Sequence, residues 1–461
     1  MSFLFHRKFT VGRHSYVALL RKHIKGFNEP INYKSMGGNS ANMIRKTSQY
    51  LLRLVEFKIQ SNYFWLVDRL HVLFDLSIPP STRPLVRNVW LTIKILTFLQ
   101  YTLHMVQLFW TAFDSTATAE EFITIFNMCI VLTTALGRAA CLAYHRSTIL
   151  SLKGYINSKN CLRDESLSFE LRKATFVRNI KLTAMFTSYT TLNATYYYFT
   201  EFRTASVFRM PLPPEVFPAR LSYCIETLSS VVGISWSVVL FISLTQFGTL
   251  LNSLCTELTV IVQQFDGMFE QVVANFALNT LELAESNENE RTKFWSRLDS
   301  TFTNAISHHS SFVSHHQRLK PVSSANFFIL LTSAALMITV NTFMFIIEPS
   351  LGRLPLQVVA IQFILEVYVC CNLFDKLEKM NNKIARYVYV IDWFNVLPRD
   401  EANMIQGKYR KSIFQNALLL QRQVHGGFKV RAGGMFDLNL DTFANLINLV
   451  YSMLTFLLKM Y

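Results

Sequence analysis

Seven long runs of apolar residues restrict what this chain can fold into more than any other feature. A helix needs roughly 20 residues to cross the apolar core of a bilayer, and only helices or closed barrels satisfy their backbone hydrogen bonds there. The runs cover about Val86–Phe113, Phe122–Tyr144, Phe176–Phe199, Tyr223 to beyond Leu254, Phe327–Ile347, Leu356–Phe374 and Leu438–Tyr461. We therefore predict an all-α integral membrane protein with seven transmembrane helices.

The distribution of basic residues predicts how these helices are oriented. Lys and Arg are concentrated before the first run, between the second and third runs, and between the sixth and seventh runs. Such residues collect on the cytoplasmic side of a membrane, which predicts a cytoplasmic N-terminus and an extracellular C-terminus. The same rule explains the formal net charge of +15, so we expect membrane lipid and no nucleic acid as a partner.

The segments between the apolar runs divide the chain into four predicted parts. Residues 1–85 form a cytoplasmic N-terminal region with a helix before the first span, and 86–374 form a six-helix membrane bundle with a ligand pocket. Within 255–322 and 375–432 apolar residues recur every three or four positions, which indicates amphipathic helices that extend into the cytoplasm. We expect 375–432 to form a cytoplasmic anchor and 433–461 to form the last, pore-lining helix.

A regular polar stripe runs along the last predicted helix. Its residues step by four, three, four, three and four positions, and are Asp441, Asn445, Asn448, Ser452, Thr455 and Lys459. That spacing places them on one helical face, and polar side chains in hydrocarbon require water or a partner. The helix therefore lines an aqueous pore, which we favour, or bonds to a neighbouring helix. Phe456 and Met460 flank the stripe where an apolar constriction could gate a pore.

A second group of polar and aromatic residues lies in the outer half of the third run. Tyr189, Asn193 and Tyr197 fall close together there, and Phe126 and Ile225 in neighbouring runs complete our candidate ligand-binding set. A mostly apolar pocket with a few polar groups suits a small lipophilic ligand. An interfacial aromatic belt is the alternative explanation for the tyrosines.

No constellation in the sequence indicates catalysis, a metal or a cofactor. His308, His309, His315 and His316 repeat at seven residues, but no cysteine or carboxylate nearby completes a metal site. No phosphate-binding glycine loop, nucleophile elbow or pair of carboxylates stands out. We expect a cytoplasmic helix that carries histidines, and no enzyme.

Several short motifs occur between residues 372 and 461. They are Ala385-Arg386-Tyr387, Trp393, Gln421-Arg422-Gln423, Ala432-Gly433-Gly434-Met435-Phe436-Asp437-Leu438-Asn439-Leu440-Asp441-Thr442-Phe443 and Tyr451-Ser452-Met453-Leu454-Thr455-Phe456. Together they resemble the insect odorant receptor family. The rest of the chain is similar to that family only in its architecture.

The resemblance implies a ligand-gated, non-selective cation channel at the plasma membrane of sensory neuron dendrites. It further implies a heterotetramer with odorant coreceptor subunits, a small volatile ligand in the outer half of the helical bundle, and a gate near Phe456, Lys459 and Met460. Lys459 stands where the coreceptor ending has Gln. Four lysines around a narrow pore would repel one another by ~1 kcal/mol or more per close pair, so we expect a tuning subunit whose coreceptor supplies most pore helices.

Three alternatives remain open at this point. A gustatory-type receptor channel has the same architecture, but its closing motif fits this chain less well. A G-protein-coupled receptor requires the opposite topology. A transporter is disfavoured because the chain shows no repeat symmetry.

Overall fold

The fold consists of long helices and one short hairpin. The structure, a computed structural model, describes residues 61–74, 84–113, 118–158, 165–204, 218–268, 271–272, 288–390, 404–425 and 428–460. Its elements are α1 (Trp65–Phe74), α2 (Pro84–Phe113), α3 (Ala119–Tyr144), α4 (Arg146–Ser158), α5 (Glu165–Thr204), α6 (Ala219–Phe265), α7 (Glu288–Ile347), α8 (Leu354–Val390), α9 (Met404–His425), β1 (Arg431–Ala432), β2 (Phe436–Asp437) and α10 (Leu440–Met460). The predicted N-terminal region lies outside the described residues up to residue 60.

Six of the described helices are long and apolar enough to cross a membrane: α2, α3, α6, α7, α8 and α10. The remaining long helix, α5, has 40 residues, but its Thr and Tyr side chains make it less apolar. It packs along α6, and it buries Thr183 and Thr190 against protein. The predicted all-α integral membrane fold with seven membrane-length helices is confirmed.

Three of these helices are much longer than a membrane is thick. α6 has 47 residues, α7 has 60 and α8 has 37, which at ~1.5 Å per residue gives about 70, 90 and 55 Å. The hydrocarbon core measures only ~30 Å. α7 continues through the predicted connection before residue 322, and α8 crosses the predicted boundary at 374 without a break. The membrane bundle and the anchor region are therefore built from the same helices, joined by α9 in one hydrophobic core.

Buried histidines fix the helices of the anchor region to one another. His309 Nε2 on α7 lies 2.9 Å from Asn381 Oδ1 on α8, and Asn381 Nδ2 donates to the Val424 carbonyl on α9 at 3.1 Å. The His316 ring stacks on Phe428 with 4.1 Å between centroids. Burial lowers the pKa of His309, and it lowers that of His316 to about 3. These histidines are therefore neutral packing residues, and no group of three potential ligands among the described residues is placed to hold a metal.

Two buried ion pairs join further helices. Arg138 of α3 meets Glu366 of α8, with Nη1 3.1 Å from Oε2, and both side chains are about 1% exposed. Arg172 of α5 meets Glu257 of α6, with Nε 3.0 Å from Oε1. An isolated charge is very costly away from water. Each pair is therefore a strong constraint on which helices pack together.

A glycine-containing hairpin connects the anchor region to α10. Gly433 has a φ of +57°, and its N–H donates to the Ser324 carbonyl on α7 at 3.1 Å. A Cβ at Gly433 would lie 2.6 Å from Phe328 Cδ2, so only glycine fits there without movement. The Asn439 side chain then accepts the Thr442 N–H at 2.9 Å, which satisfies an otherwise free donor at the start of α10.

Candidate functional site

A small cavity lies inside the membrane bundle, close to the turn between α7 and α8. It has a volume of about 50 Å³ and is lined by residues of α3, α5, α6, α7 and α8. Its apolar and aromatic lining includes Met128, Val131, Ala194, Tyr197, Tyr198, Leu240, Phe241, Met337, Pro355, Leu356 and Val359, and its polar lining is Asn127, Thr190, Asn193, Ser237, Asn341 and Gln362. None of these lining residues carries a charge. A neutral, mostly apolar cavity with a few polar groups is a typical small-molecule site.

The polar side chains around the cavity form bonds between different helices. Asn127 Nδ2 on α3 donates to Asn341 Oδ1 on α7 at 2.7 Å, and Gln362 Nε2 on α8 donates to Thr190 Oγ1 on α5 at 3.2 Å. Asn193 Nδ2 donates to the Pro355 carbonyl at 3.3 Å. The cavity therefore lies where several helices are held together by side-chain amides.

Three polar atoms at this cavity remain without a partner within the part of the chain that the structure describes. They are Asn127 Oδ1, Asn341 Nδ2 and Gln362 Oε1, and their side chains are at most 3% exposed. A buried polar group that makes no hydrogen bond costs roughly 1–3 kcal/mol. Three of the residues that line the cavity therefore carry unused hydrogen-bonding capacity.

Tyrosine packing shapes one wall of the cavity. The rings of Tyr197 and Tyr198 meet edge to face with 5.5 Å between centroids. Tyr198 lies directly over Gly233 of α6, where a Cβ would be 2.2 Å from its Cε1 atom. Glycine at this position lets the phenol ring lie against the α6 backbone. Aromatic walls of this kind provide large, rigid apolar contact surfaces for a ligand.

The structure brings some of the predicted ligand-binding residues together. Asn193 and Tyr197 line the cavity. Tyr189 is 45% exposed on the outside of α5, Phe126 is half-buried and stacks on Phe122, and Ile225 is half-buried on α6. These last three do not line the cavity.

Sequence reasoning missed the polar residues that three other helices contribute. Asn127, Asn341 and Gln362 each lie inside an apolar, membrane-length helix. Polar residues in such positions are rare and usually functional. That signal was available in the sequence, although their convergence on one cavity was not.

The predicted pore residues lie on α10, and most of that helix is uncovered in the single chain. Leu446 and Val450 are its only buried residues. Of the stripe, Thr455 is half-buried and the other five side chains are exposed, as are Phe456 and Met460. The stripe therefore faces away from the protomer's own bundle.

The hydroxyls of the stripe bond within α10. Ser452 Oγ donates to the Asn448 carbonyl at 2.9 Å, and Thr455 Oγ1 donates to the Tyr451 carbonyl at 2.8 Å. Within the described residues, no stripe side chain bonds to another helix of the chain. Among the described helices, the stripe is thus not a contact between helices of one protomer.

A bundle of membrane-length helices around a small uncharged cavity is the architecture of a multi-span membrane protein with a candidate small-molecule site. A family model described as "7tm Odorant receptor" matches residues 118–451, and the chain belongs to that family, as the resemblance of its C-terminal residues predicted. No curated protein sequence gives a significant match.

Solved structures of one insect olfactory receptor share this fold. The structure of OR5 from Machilis hrabei in complex with eugenol has a TM-score of 0.64 and 11% sequence identity, and the match covers 87% of this chain and all of OR5. A second OR5 structure has a TM-score of 0.62 and 12% identity over the same shares. The family match favours an odorant receptor over the gustatory, G-protein-coupled and transporter alternatives.

Proposed function

We propose that this odorant receptor is the tuning subunit of an odorant-gated, non-selective cation channel. Its cavity would hold a small volatile ligand, and its last helix would line a central pore together with coreceptor subunits in a heterotetramer. The basic connections on one side of the bundle favour a cytoplasmic N-terminus and an extracellular C-terminus. With that orientation the cavity would lie toward the outer face of the plasma membrane, which in our proposal is the dendritic membrane of a sensory neuron.

The exposed polar stripe of α10 is the observation that carries the channel proposal. In a receptor that functions as a single chain, a membrane helix would expose apolar residues to lipid, because polar residues are costly there. α10 instead exposes Asn445, Asn448, Ser452 and Lys459, and the Ser452 and Thr455 hydroxyls of the stripe donate to backbone carbonyls of α10 itself. Copies of this helix around an axis would give the stripe the water that it requires.

Two helices connect the ligand cavity to the proposed pore helix. α7 and α8 line the cavity, and both also pack against α10. On α8, Tyr368 meets Phe443 of α10 edge to face at 5.5 Å between ring centroids. A ligand that shifts α8 would therefore act directly on the helix that lines the pore.

Lys459 supports a mixed assembly. It is exposed near the end of α10, beside Phe456 and Met460, where we place the gate. Four such lysines in a narrow pore would repel one another and the permeant cation by ~1 kcal/mol or more per close pair. One or two copies among coreceptor subunits would reduce that repulsion, so we place the coreceptor at most positions around the pore.

The parts of the chain take the following roles in this proposal. Residues 86–374 form the ligand-binding bundle, 375–432 anchor the subunits to one another beneath the membrane, and 433–461 form the pore helix. No catalytic residue and no cofactor take part.

Recording odorant-evoked current with and without an insect coreceptor tests the proposal. We expect current only when both chains are expressed, with similar permeability to Na⁺ and K⁺. Equal currents from this chain alone would contradict the mixed assembly. A response that requires a G protein and carries no channel current would contradict the channel itself.

A further inference from the structure

The unpaired amide atoms at the cavity indicate which ligand chemistry fits it. We infer that the cavity selects small, neutral, hydroxyl-bearing molecules, alcohols or phenols, over ethers and hydrocarbons of the same shape. This inference rests on the proposed function, because it names the ligand class of the same site.

The Asn127–Asn341 pair offers both halves of a hydroxyl's hydrogen bonding. One amide N–H already bonds the other amide's oxygen at 2.7 Å, which leaves an acceptor on one residue and a donor on its neighbour. If the two amides exchange roles, so that Asn341 donates and Asn127 accepts, one acceptor and one donor still remain free. A hydroxyl group both donates and accepts, so it matches both free atoms in kind, which neither an ether nor a hydrocarbon does.

Gln362 adds a second free acceptor on the α8 side. Its Nε2 atom is held by Thr190, and its Oε1 atom has no partner within the described residues. An ether oxygen accepts but cannot donate, so it would satisfy Asn341 Nδ2 alone and leave both acceptors unpaired. A hydrocarbon would satisfy none of the three.

The remainder of the lining excludes other ligand classes. No residue around the cavity is charged, so a carboxylate or an ammonium ion would be buried without a counter-ion at high cost. The cavity is also small, at about 50 Å³, and larger molecules must displace side chains. Met128 and Met337 line it, and unbranched, flexible methionines adapt to such displacement.

Matched ligand series measured on the complete receptor test this inference. Cells that express the chain with coreceptor are exposed to hexanol, methyl pentyl ether and heptane, and to cresol, anisole and ethylbenzene, so that the members of each series have the same number of heavy atoms. We expect the half-maximal concentration to be roughly tenfold or more lower for the hydroxylated member of at least one series, the size expected when buried polar atoms gain or lose a partner. Equal potency of alcohols and ethers would overturn the inference while leaving the proposed function intact.

A pair of double variants locates the selectivity within the chain. Asn127→Leu with Asn341→Leu should remove the preference for hydroxyls, so that the half-maximal concentrations of the alcohol, the ether and the hydrocarbon in each series come together. Asn179→Leu with Asn252→Leu is the matched control, because these residues form the same kind of buried amide bond between helices, at 2.8 Å, away from the cavity. If the first double variant does not reach the membrane, Gln362→Met should lower the preference several-fold.

The outcomes separate the inference from the proposed function. Loss of hydroxyl preference in the control and the cavity variant alike would overturn the inference, since it would show a global effect. Responses to ethers and hydrocarbons but to no hydroxylated compound would also overturn it, with the channel still standing. Silence toward every compound in the presence of coreceptor would contradict both.

Discussion

Replacing Glu366 with Gln should leave the guanidinium of Arg138 without its counter-ion inside the helical bundle. Both side chains are about 1% exposed, and they join α3 to α8 through hydrogen bonds that include Nη1 to Oε2 at 3.1 Å. Removing one partner of a buried ion pair typically costs about 3–5 kcal/mol, because the other charge stays buried and unpaired. We therefore expect Glu366→Gln to lower the melting temperature of the receptor markedly.

Removing both charges together should restore much of that loss. Apolar replacements of a whole buried pair are often neutral, or stabilising by about 1–4 kcal/mol, so Arg138→Met with Glu366→Met should melt near the wild-type temperature. Asp375→Asn is the control, since it removes a partner of Lys379 from a more exposed pair on the same helix. Pairs of that kind contribute only about 0.3–0.5 kcal/mol.

The assay is the fraction of protein that stays monodisperse on size-exclusion chromatography after heating in detergent. A Glu366→Gln receptor that melts together with the Asp375→Asn control would refute the assignment of a buried pair. A double methionine variant as unstable as the single variant would show that the cost comes from packing rather than from the unpaired charge.

Three further predictions follow from other parts of the chain. Lys459→Gln should change the conductance or ion selectivity of the receptor–coreceptor channel. Lys459→Arg, which keeps the charge, should not. An unchanged channel with Lys459→Gln would show that Lys459 does not line the pore. The folded pKa of His316 lies near 3, below its unfolded value of about 6.5. Its stabilising contribution is therefore complete above pH 6.5 and falls as the pH falls, because the unfolded chain binds the proton first. At pH 5 the free energy of unfolding is lower by about 2 kcal/mol, at ~1.36 kcal/mol per pH unit. His316→Phe should therefore make the melting temperature fall less than that of the wild type between pH 7.5 and pH 5. An equal fall in the two proteins would contradict this role of His316. Gly433→Ala should lower the melting temperature more than Gly434→Ala. Both glycines have a positive φ, but only a Cβ added at Gly433 would meet the Phe328 side chain. Equal effects of the two substitutions would show that this contact is unimportant.

The membrane helices were predictable because apolar runs of sufficient length have few alternatives in a bilayer. Their ends were less predictable where a helix leaves the membrane. α7 begins at Glu288, well before the predicted start at Phe327, because an apolar run and an amphipathic stretch such as Phe294–Phe312 merge into one continuous helix. Hydropathy marks where a helix meets lipid and does not mark where the helix stops.

The candidate cavity was only partly predictable. Asn193 and Tyr197 are one helical turn apart on a single element, so local spacing was enough to bring them together. Asn127, Asn341 and Gln362 come from three different helices, and their meeting depends on how the bundle packs. Tyr189 is also one helical turn from Asn193, but it is 45% exposed and does not line the cavity, so spacing along one helix does not decide which of its residues the bundle encloses.

The family was predictable from the last part of the chain for a structural reason. The motif from Ala432 to Phe443 forms the hairpin and the first turn of α10, where Gly433 packs against Phe328 and Asn439 caps the helix. Backbone conformations of this kind tolerate few substitutions. The bundle helices need mainly apolar side chains of suitable size, so they carry no short motif that reveals the family by itself, although the family model matches them as part of residues 118–451.

Thiol accessibility along α10 tests the central claim most directly. Ser452→Cys lies on the stripe, whereas Val450→Cys lies on the opposite, buried face. In cells that express the coreceptor, a charged thiol reagent applied during odorant exposure should alter the current through the Ser452→Cys receptor and leave the wild-type and Val450→Cys currents unchanged. An unmodified Ser452→Cys current, or equal modification of both positions, would contradict a pore lined by this helix.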